Sequence, residues 1–155
     1  MVVVDREARA SLHLWIALNR TTTRLHEPLR RQVETHELTL TEFGVLEALL
    51  HNGPLPHGDI ADRVLLANSS ITYVIDKLEE RGLLRRRQSD EDRRQTLAAL
   101  TSAGRAKIEA VFPEHAALID DLMADLSLEE KRTAASVLRR VERSASERDA
   151  PSSSD

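Results

Sequence analysis

At Gly82 the hydrophobic pattern of this 155-residue chain changes period. Upstream, Ile71, Val74, Ile75 and Leu78 recur at helical spacing, the stripe of one amphipathic helix over residues 69–81. Downstream, residues 83–87 and 96–100 are short candidate strands around a polar loop at 88–95, which predicts a β-hairpin. The alternation there is weak, and Ala98 and Ala99 have poor strand propensity. Gly82 suits the helix C-terminus, where a left-handed backbone is needed. A helix that stops at a glycine and hands over directly to a hairpin leaves few folds open.

The preceding residues narrow them further. A short helix is expected over 58–65, then a turn at Leu66, Ala67 and Asn68. Thr39 and Glu42 have capping-box spacing and open a helix whose apolar face is Phe43, Leu46, Leu49 and Leu50. Asn52-Gly53-Pro54 stops it, and residues 54–56 read as a linker. Leu14, Leu18, Leu25, Leu29 and Val33 form a stripe through residues 6–34, with Pro28 placed to kink or split that helix. Beyond the hairpin, residues 101–104 start a helix carrying Ile108, Val111, Phe112, Ala116, Ile119, Leu122 and Met123, bent at Pro113. Ser127 and Glu130 repeat the capping box before a last helix with Ala134, Val137, Leu138 and Val141. Residues 144–155 are polar and expected to be disordered.

The order helix, short helix, turn, helix, Arg-rich hairpin is that of a winged helix-turn-helix. A single helix fits the DNA major groove. Ser69, Ser70 and Thr72 give helix 69–81 a small polar leading edge, and Tyr73 and Lys77 lie within reach of bases or phosphates. Arg85, Arg86 and Arg87, then Arg93 and Arg94, supply cations around the hairpin. An arginine at the tip suits a narrow minor groove, with Asp92 expected to fix its direction. The site expected to meet double-stranded DNA is therefore Ser69, Ser70, Thr72, Tyr73, Lys77, Arg85, Arg87, Asp92, Arg93 and Arg94.

Composition bounds the alternatives. Lys and Arg number 22 against 26 Asp and Glu, a net charge of -4. That balance neither requires nor forbids a local phosphate-binding patch. There is no cysteine, which excludes disulfides, thiolate metal sites and thiol sensing. No apolar run approaches the roughly 18 residues of a spanning helix, so a cytoplasmic location without membrane contact is expected. The histidines at 13, 26, 36, 51, 57 and 115 never share i, i+4 spacing. No metal site and no cofactor are expected; a site assembled through the fold from His51, His57 and Asp59 is the alternative. Asp59 and Asp62, Glu79 and Glu80, and Glu129 and Glu130 accompany no nucleophile or phosphate loop, and read as helix-surface charge and not as an enzyme's acid-base pairs. Trp15, near His13 and Asn19, is read as dimer-core packing, or with those two residues as the wall of a small-molecule pocket.

Residues 65–83, through Leu66-Ala67-Asn68-Ser69-Ser70-Ile71-Thr72-Tyr73 to Arg81-Gly82-Leu83, resemble the recognition-helix segment of the MarR family of bacterial regulators. Asp92-Arg93-Arg94 and Leu100-Thr101-Ser102-Ala103-Gly104 are similar to that family's wing motif and following helix, and Leu38-Thr39-Leu40-Thr41-Glu42-Phe43 to its second helix. The resemblance covers about residues 10 to 145; Asn68 departs from it, standing where close relatives have Ser. It implies a homodimer formed by N- and C-terminal helices, a palindromic operator and usually repression. The expected division is an N-terminal dimerisation region at 1–36, a DNA-binding domain at 37–104, C-terminal dimerisation helices at 105–143 and a disordered tail at 144–155. Residues 43–49, the Ser-Ile-Thr-Tyr-Val run and residues 112–116 look most like the branch answering quinones and phenolic compounds. Without cysteine, such an effector is expected to bind reversibly. Other readings are a winged-helix module for protein partners and a metal-responsive regulator.

Overall fold

The structure, a computed structural model, describes residues 5–64 and 68–149. It is mainly α-helical: α1 (Arg6–Glu34), α2 (Leu40–Asn52), β1 (Leu55–Pro56), α3 (His57–Val64), α4 (Asn68–Glu80), β2 (Leu84–Gln88), β3 (Thr96–Leu100), α5 (Ser102–Leu122) and α6 (Leu128–Asp149). Leu66 and Ala67 of the expected turn lie outside the described residues, and Asn68 already begins α4.

Asp5 caps α1 by accepting the Ala8 N–H at 2.7 Å. The helix is not split at Pro28; it runs unbroken to Glu34. Proline removes one backbone bond there, but Arg30 bridges Glu27 and Glu34 across the next turns, and Val33 anchors the end in the core. α5 likewise continues through Pro113. After α1, Glu37 takes a left-handed backbone (φ 58°), and the Leu38 N–H closes the corner onto the Val33 carbonyl at 3.1 Å. Both links of the capping box form between Thr39 and Glu42.

The apolar surface of α2 is wider than a single face. Phe43, Val45, Leu46, Ala48 and Leu49 are all buried, whereas Leu50 is only partly covered. The cause is position: α1, α3, α4 and β3 all pack on α2, and a helix surrounded on several sides buries apolar groups around most of its circumference. The core joins these residues to Val33, Ile60, Ile71, Ile75, Leu78, Leu84, Ala98, Ile108 and Val111. Val33 of α1 and Ile108 of α5 share this core with the helix-turn-helix. By packing the chain forms two units, divided between Ile119 and Asp120.

The sheet has three strands, in the order β1-β3-β2, all antiparallel. Leu55 and Pro56 are not a plain linker: they pair with Ala98 and Leu97. Pro56 is tolerated because β1 is an edge strand, where a missing donor costs little. Ala98 and Ala99, weak strand formers, are buried in β3. Their small side chains suit a strand packed on helices, so tertiary context overrides propensity. In the second unit, Ser127 and Glu130 form the capping contacts that open α6. That helix extends to Asp149, so residues 144–149 are helical and not tail. Ala145, Glu147 and Arg148 are good helix formers that extend an already nucleated helix.

At the foot of the hairpin, α4, β2, β3 and α5 meet. Leu83 donates its N–H to the Leu78 carbonyl, and its own carbonyl accepts from the Thr101 N–H at 3.1 Å. The Thr101 hydroxyl donates to the Gly82 carbonyl at 2.6 Å and accepts the Gly104 N–H at 3.0 Å. A β-carbon at Gly104 falls 1.9 Å from the Leu83 carbonyl oxygen, an overlap only backbone movement relieves. Gly104→Ala is expected to cost at least about 2 kcal/mol, read as a lowered urea midpoint. A midpoint within error of the parent sinks this account of the junction.

Candidate nucleic-acid interface

Burial of Ile71, Ile75 and Leu78 fixes the rotation of α4. Positions 69, 70, 72, 73, 76 and 77 are thereby left on one outward arc. Ser70, Thr72 and Tyr73 are exposed, Tyr73 to 63%. Ser69 is in the first turn, its side chain outside the described residues. Lys77 lies 5.7 Å from the Tyr73 ring centroid and bonds Glu80 at 2.9 Å. That exposed pair is weak and yields to a phosphate at little cost.

Alternation sorts the arginines of β2. Arg85 and Arg87 are exposed, with Arg87 bonded to Asp90 at 3.2 Å. Arg86, between them, turns to α4. Its guanidinium bonds both Asp76 and Glu79, and its backbone N–H donates to the Glu79 Oε1 at 3.2 Å. His57, at the start of α3, belongs to the same corner: burial, then the charge of Arg86, holds its pKa below the ordinary value, against the pull of Asp76 and Glu79.

The tip is a hydrogen-bonded turn. Buried Ser89 accepts the Glu91 and Asp92 N–H groups on its hydroxyl at 3.2 and 3.3 Å. Its own N–H donates to the Gln95 carbonyl at 2.9 Å. Asp92 does not steer a guanidinium. Its carboxylate accepts the Arg94 backbone N–H at 2.9 Å, the short-range contact an aspartate makes in an Asx turn. Arg93 and Arg94 are exposed at the tip.

Ser89 and Arg81 have no role in the sequence reading, and Arg86 counts there only among the cations of the hairpin. The period-2 pattern held the signal for Arg86, since a strand with Leu84 inward also turns Arg86 inward. Arg81 ties the end of α4 to the α1–α2 corner, bonding Glu42 at 3.2 Å and the Glu37 carbonyl at 2.7 Å. Nothing in the local pattern signals a contact between residues so far apart in sequence.

His13, Trp15 and Asn19 are all exposed on the first half of α1. Asn19 donates its side-chain N–H to the Trp15 carbonyl at 2.9 Å. Trp15 and Asn19 are one turn apart, but His13 is about 200° around the helix from Trp15, so α1 does not bring the three together. Among the described residues no three or more His, Cys, Asp or Glu side chains are gathered as metal ligands, His51, His57 and Asp59 included. No described helix is long and apolar enough to cross a membrane.

Residues 38–96 match the MarR family model. The chain is similar to the HTH-type transcriptional regulator MhqR of Bacillus subtilis (strain 168), with 44% identity over 131 residues, 84% of this chain and 90% of the relative. The chain belongs to the MarR family. Solved MarR-like folds agree. A probable transcriptional regulator from Pseudomonas aeruginosa superposes with a TM-score of 0.71 at 28% identity, covering 81% of this chain and 94% of that one. Bordetella bronchiseptica BpsR, whose DNA binding is regulated by 6-hydroxynicotinic acid, gives 0.73 at 26% identity, covering 81% and 90%. MhqR is a transcriptional regulator and the Pseudomonas aeruginosa protein a probable one.

Two histidines give this MarR-family chain a pH dependence of stability. His115 is buried against the Phe43 ring, with centroids 4.2 Å apart, and its Nδ1 faces the Gln32 Oε1 at 2.8 Å. Burial lowers its pKa, as it does first for His57. A histidine with a depressed folded pKa leaves stability intact above its unfolded pKa, about 6.5. Stability is lost as pH falls below that value through the folded pKa. The urea midpoint of the parent is expected to fall from pH 7 to 5.5, and by less in His115→Gln. Equal falls in both proteins rule out His115 as a source.

Proposed function

We propose that this MarR-family chain is a homodimeric, cytoplasmic repressor that reads a palindromic operator and leaves it when a small hydroxylated aromatic ligand binds. One observation carries the reading. Four arginines, Arg85, Arg87, Arg93 and Arg94, stand exposed on the hairpin beside the outward arc of α4, while Arg86 is turned inward. Ser69, Ser70, Thr72, Tyr73 and Lys77 enter the major groove; Arg85 and Arg87 meet phosphates. Arg93 and Arg94 reach the flanking minor groove on a turn that Asp92 holds rigid. Such local charge binds DNA despite the acidic total, because phosphate contacts act at short range through counterion release.

Two copies are needed to place two recognition helices one helical turn, about 10 bp, apart. Exposed apolar faces supply the means. Leu12, Trp15 and Ile16 lie on α1, and Leu128, Val137, Leu138 and Val141 on α6. A second copy covers them. Trp15 and Asn19 then line a pocket closed by the partner, which His13 enters only from another side of the arm. The hydroxylated aromatic effector of BpsR supports the ligand class, and the absence of cysteine confines the switch to reversible binding. A ligand favouring a dimer with misplaced helices shifts the population off the operator.

The test is fluorescence anisotropy with duplex selected from a random pool, titrated against salt. A steep linear fall of log K with log salt is expected. Arg94→Ala is expected to weaken binding by about 1–3 kcal/mol, and unchanged affinity removes the wing from the mechanism. Ser70→Glu is expected to abolish binding while sedimentation still reports a dimer; loss of the dimer makes the helix structural instead. Failure of the parent to retain any duplex at low salt overturns the DNA reading and leaves a protein partner.

A further inference from the structure

Within the run Arg85-Arg86-Arg87, the middle residue touches no outward surface of the wing. Its guanidinium spans Asp76 and Glu79, one turn apart on α4, and Glu79 also accepts the Arg86 backbone N–H. This contact joins the hairpin to α4, the helix read above as the one that enters the major groove. We propose that Arg86 is a positioning residue for DNA binding: clipped to Asp76 and Glu79, it fixes the angle between wing and recognition helix, and it touches no phosphate. The proposal rests on the DNA-binding reading above.

The chemistry suits a clip. A planar guanidinium offers donors in a fixed fork, so one side chain engages two carboxylates in a single geometry, which a lysine ammonium does not reproduce. The hairpin root is already pinned through Leu83, Thr101 and Gly104. β3 is held further by its pairing with β1 and by buried Ala98 and Ala99; β2 is the outer strand, and the bonds from Arg86 tie it, and with it the tip, to α4. Without them, Arg93 and Arg94 search a wider volume and meet the minor groove less often in register with α4.

Simple electrostatics makes the opposite forecast for Glu79. Removing an acid beside a polyanion should tighten binding; removing half of a clip should weaken it. The experiment therefore compares Arg86→Gln, Arg86→Lys and Glu79→Gln with Arg87→Gln, using salt-dependent anisotropy, hydroxyl-radical footprinting and amide hydrogen exchange. Arg86→Gln and Glu79→Gln are both expected to lose about tenfold in affinity, within the range of coupled networks. Minor-groove protection is lost in both, while the major-groove footprint stays. Arg86→Lys keeps the charge and still loses minor-groove protection. Arg87→Gln lowers the slope by about 0.9, the signature of one phosphate contact.

A tighter complex for Glu79→Gln overturns the proposal, as does a reduced slope with intact wing protection for Arg86→Gln. If the parent binds no duplex, the DNA reading fails by itself, and exchange in the free protein decides whether the clip exists. Faster exchange at the Arg86 amide and along β2 and β3 in Glu79→Gln supports it. Unchanged exchange there overturns it.

Discussion

The hairpin starts and finishes at one place, where the backbones of Gly82, Leu83, Thr101 and Gly104 interlock. Thr101 is the central piece, because its hydroxyl both donates to the end of the α4 segment and accepts from the first turn of α5. Gly104 allows that turn to lie against the Leu83 carbonyl, at a distance no side chain permits. With the root closed in this way, Leu84, Leu97, Ala98 and Ala99 are buried, while Arg85, Arg87, Gln88 and Thr96 stay exposed on the wing. Further along β2, the contact of Arg86 with Asp76 and Glu79 adds a second link between the wing and α4. Rigidity at the root and restraint along the side are different requirements, met by backbone in one case and by charge in the other.

A second dependence runs through α2. Because α1, α3, α4 and β3 all pack on it, the residues that set the helix-turn-helix angle share a core with the end of the long first helix. Arg81 adds a polar tie between the α4 end and the α1–α2 corner, where Glu37 keeps a left-handed backbone and gives its carbonyl to the guanidinium. For a residue with a β-carbon that conformation is disfavoured, so the bonds at the corner hold it in place. The end of α1 and the buried face of α4 thus belong to one core within the first unit.

Much of this was legible in the sequence, and for identifiable reasons. Capping boxes at Thr39 and Ser127, the glycine stop at Gly82 and the stripe on α4 are local signals, and each marks an element that exists. The hairpin was legible from its flanks despite Ala98 and Ala99. β1 was not, because two residues carry no period and their pairing with β3 is non-local. Polarity alone predicts disorder from residue 144, whereas Ala145, Glu147 and Arg148 extend a helix whose costly first turn lies far upstream. Of the site, the residue types were legible but their division of labour was not. Arg86 and Asp92 took their roles from partners in space: two carboxylates on another element, and a backbone N–H two residues along.

The unbroken α1 has a mechanical corollary. Twenty-nine residues at 1.5 Å each make a rod of about 43 Å, held in the core near one end by Val33. A rod held near one end amplifies: a tilt of about five degrees at Val33 carries the far end by roughly 3–4 Å over that length. The same ratio run backwards means that forces applied at the far end act on the core with long leverage. A load applied near Trp15, well out along the rod, acts through that leverage on the corner from which Arg81 holds α4.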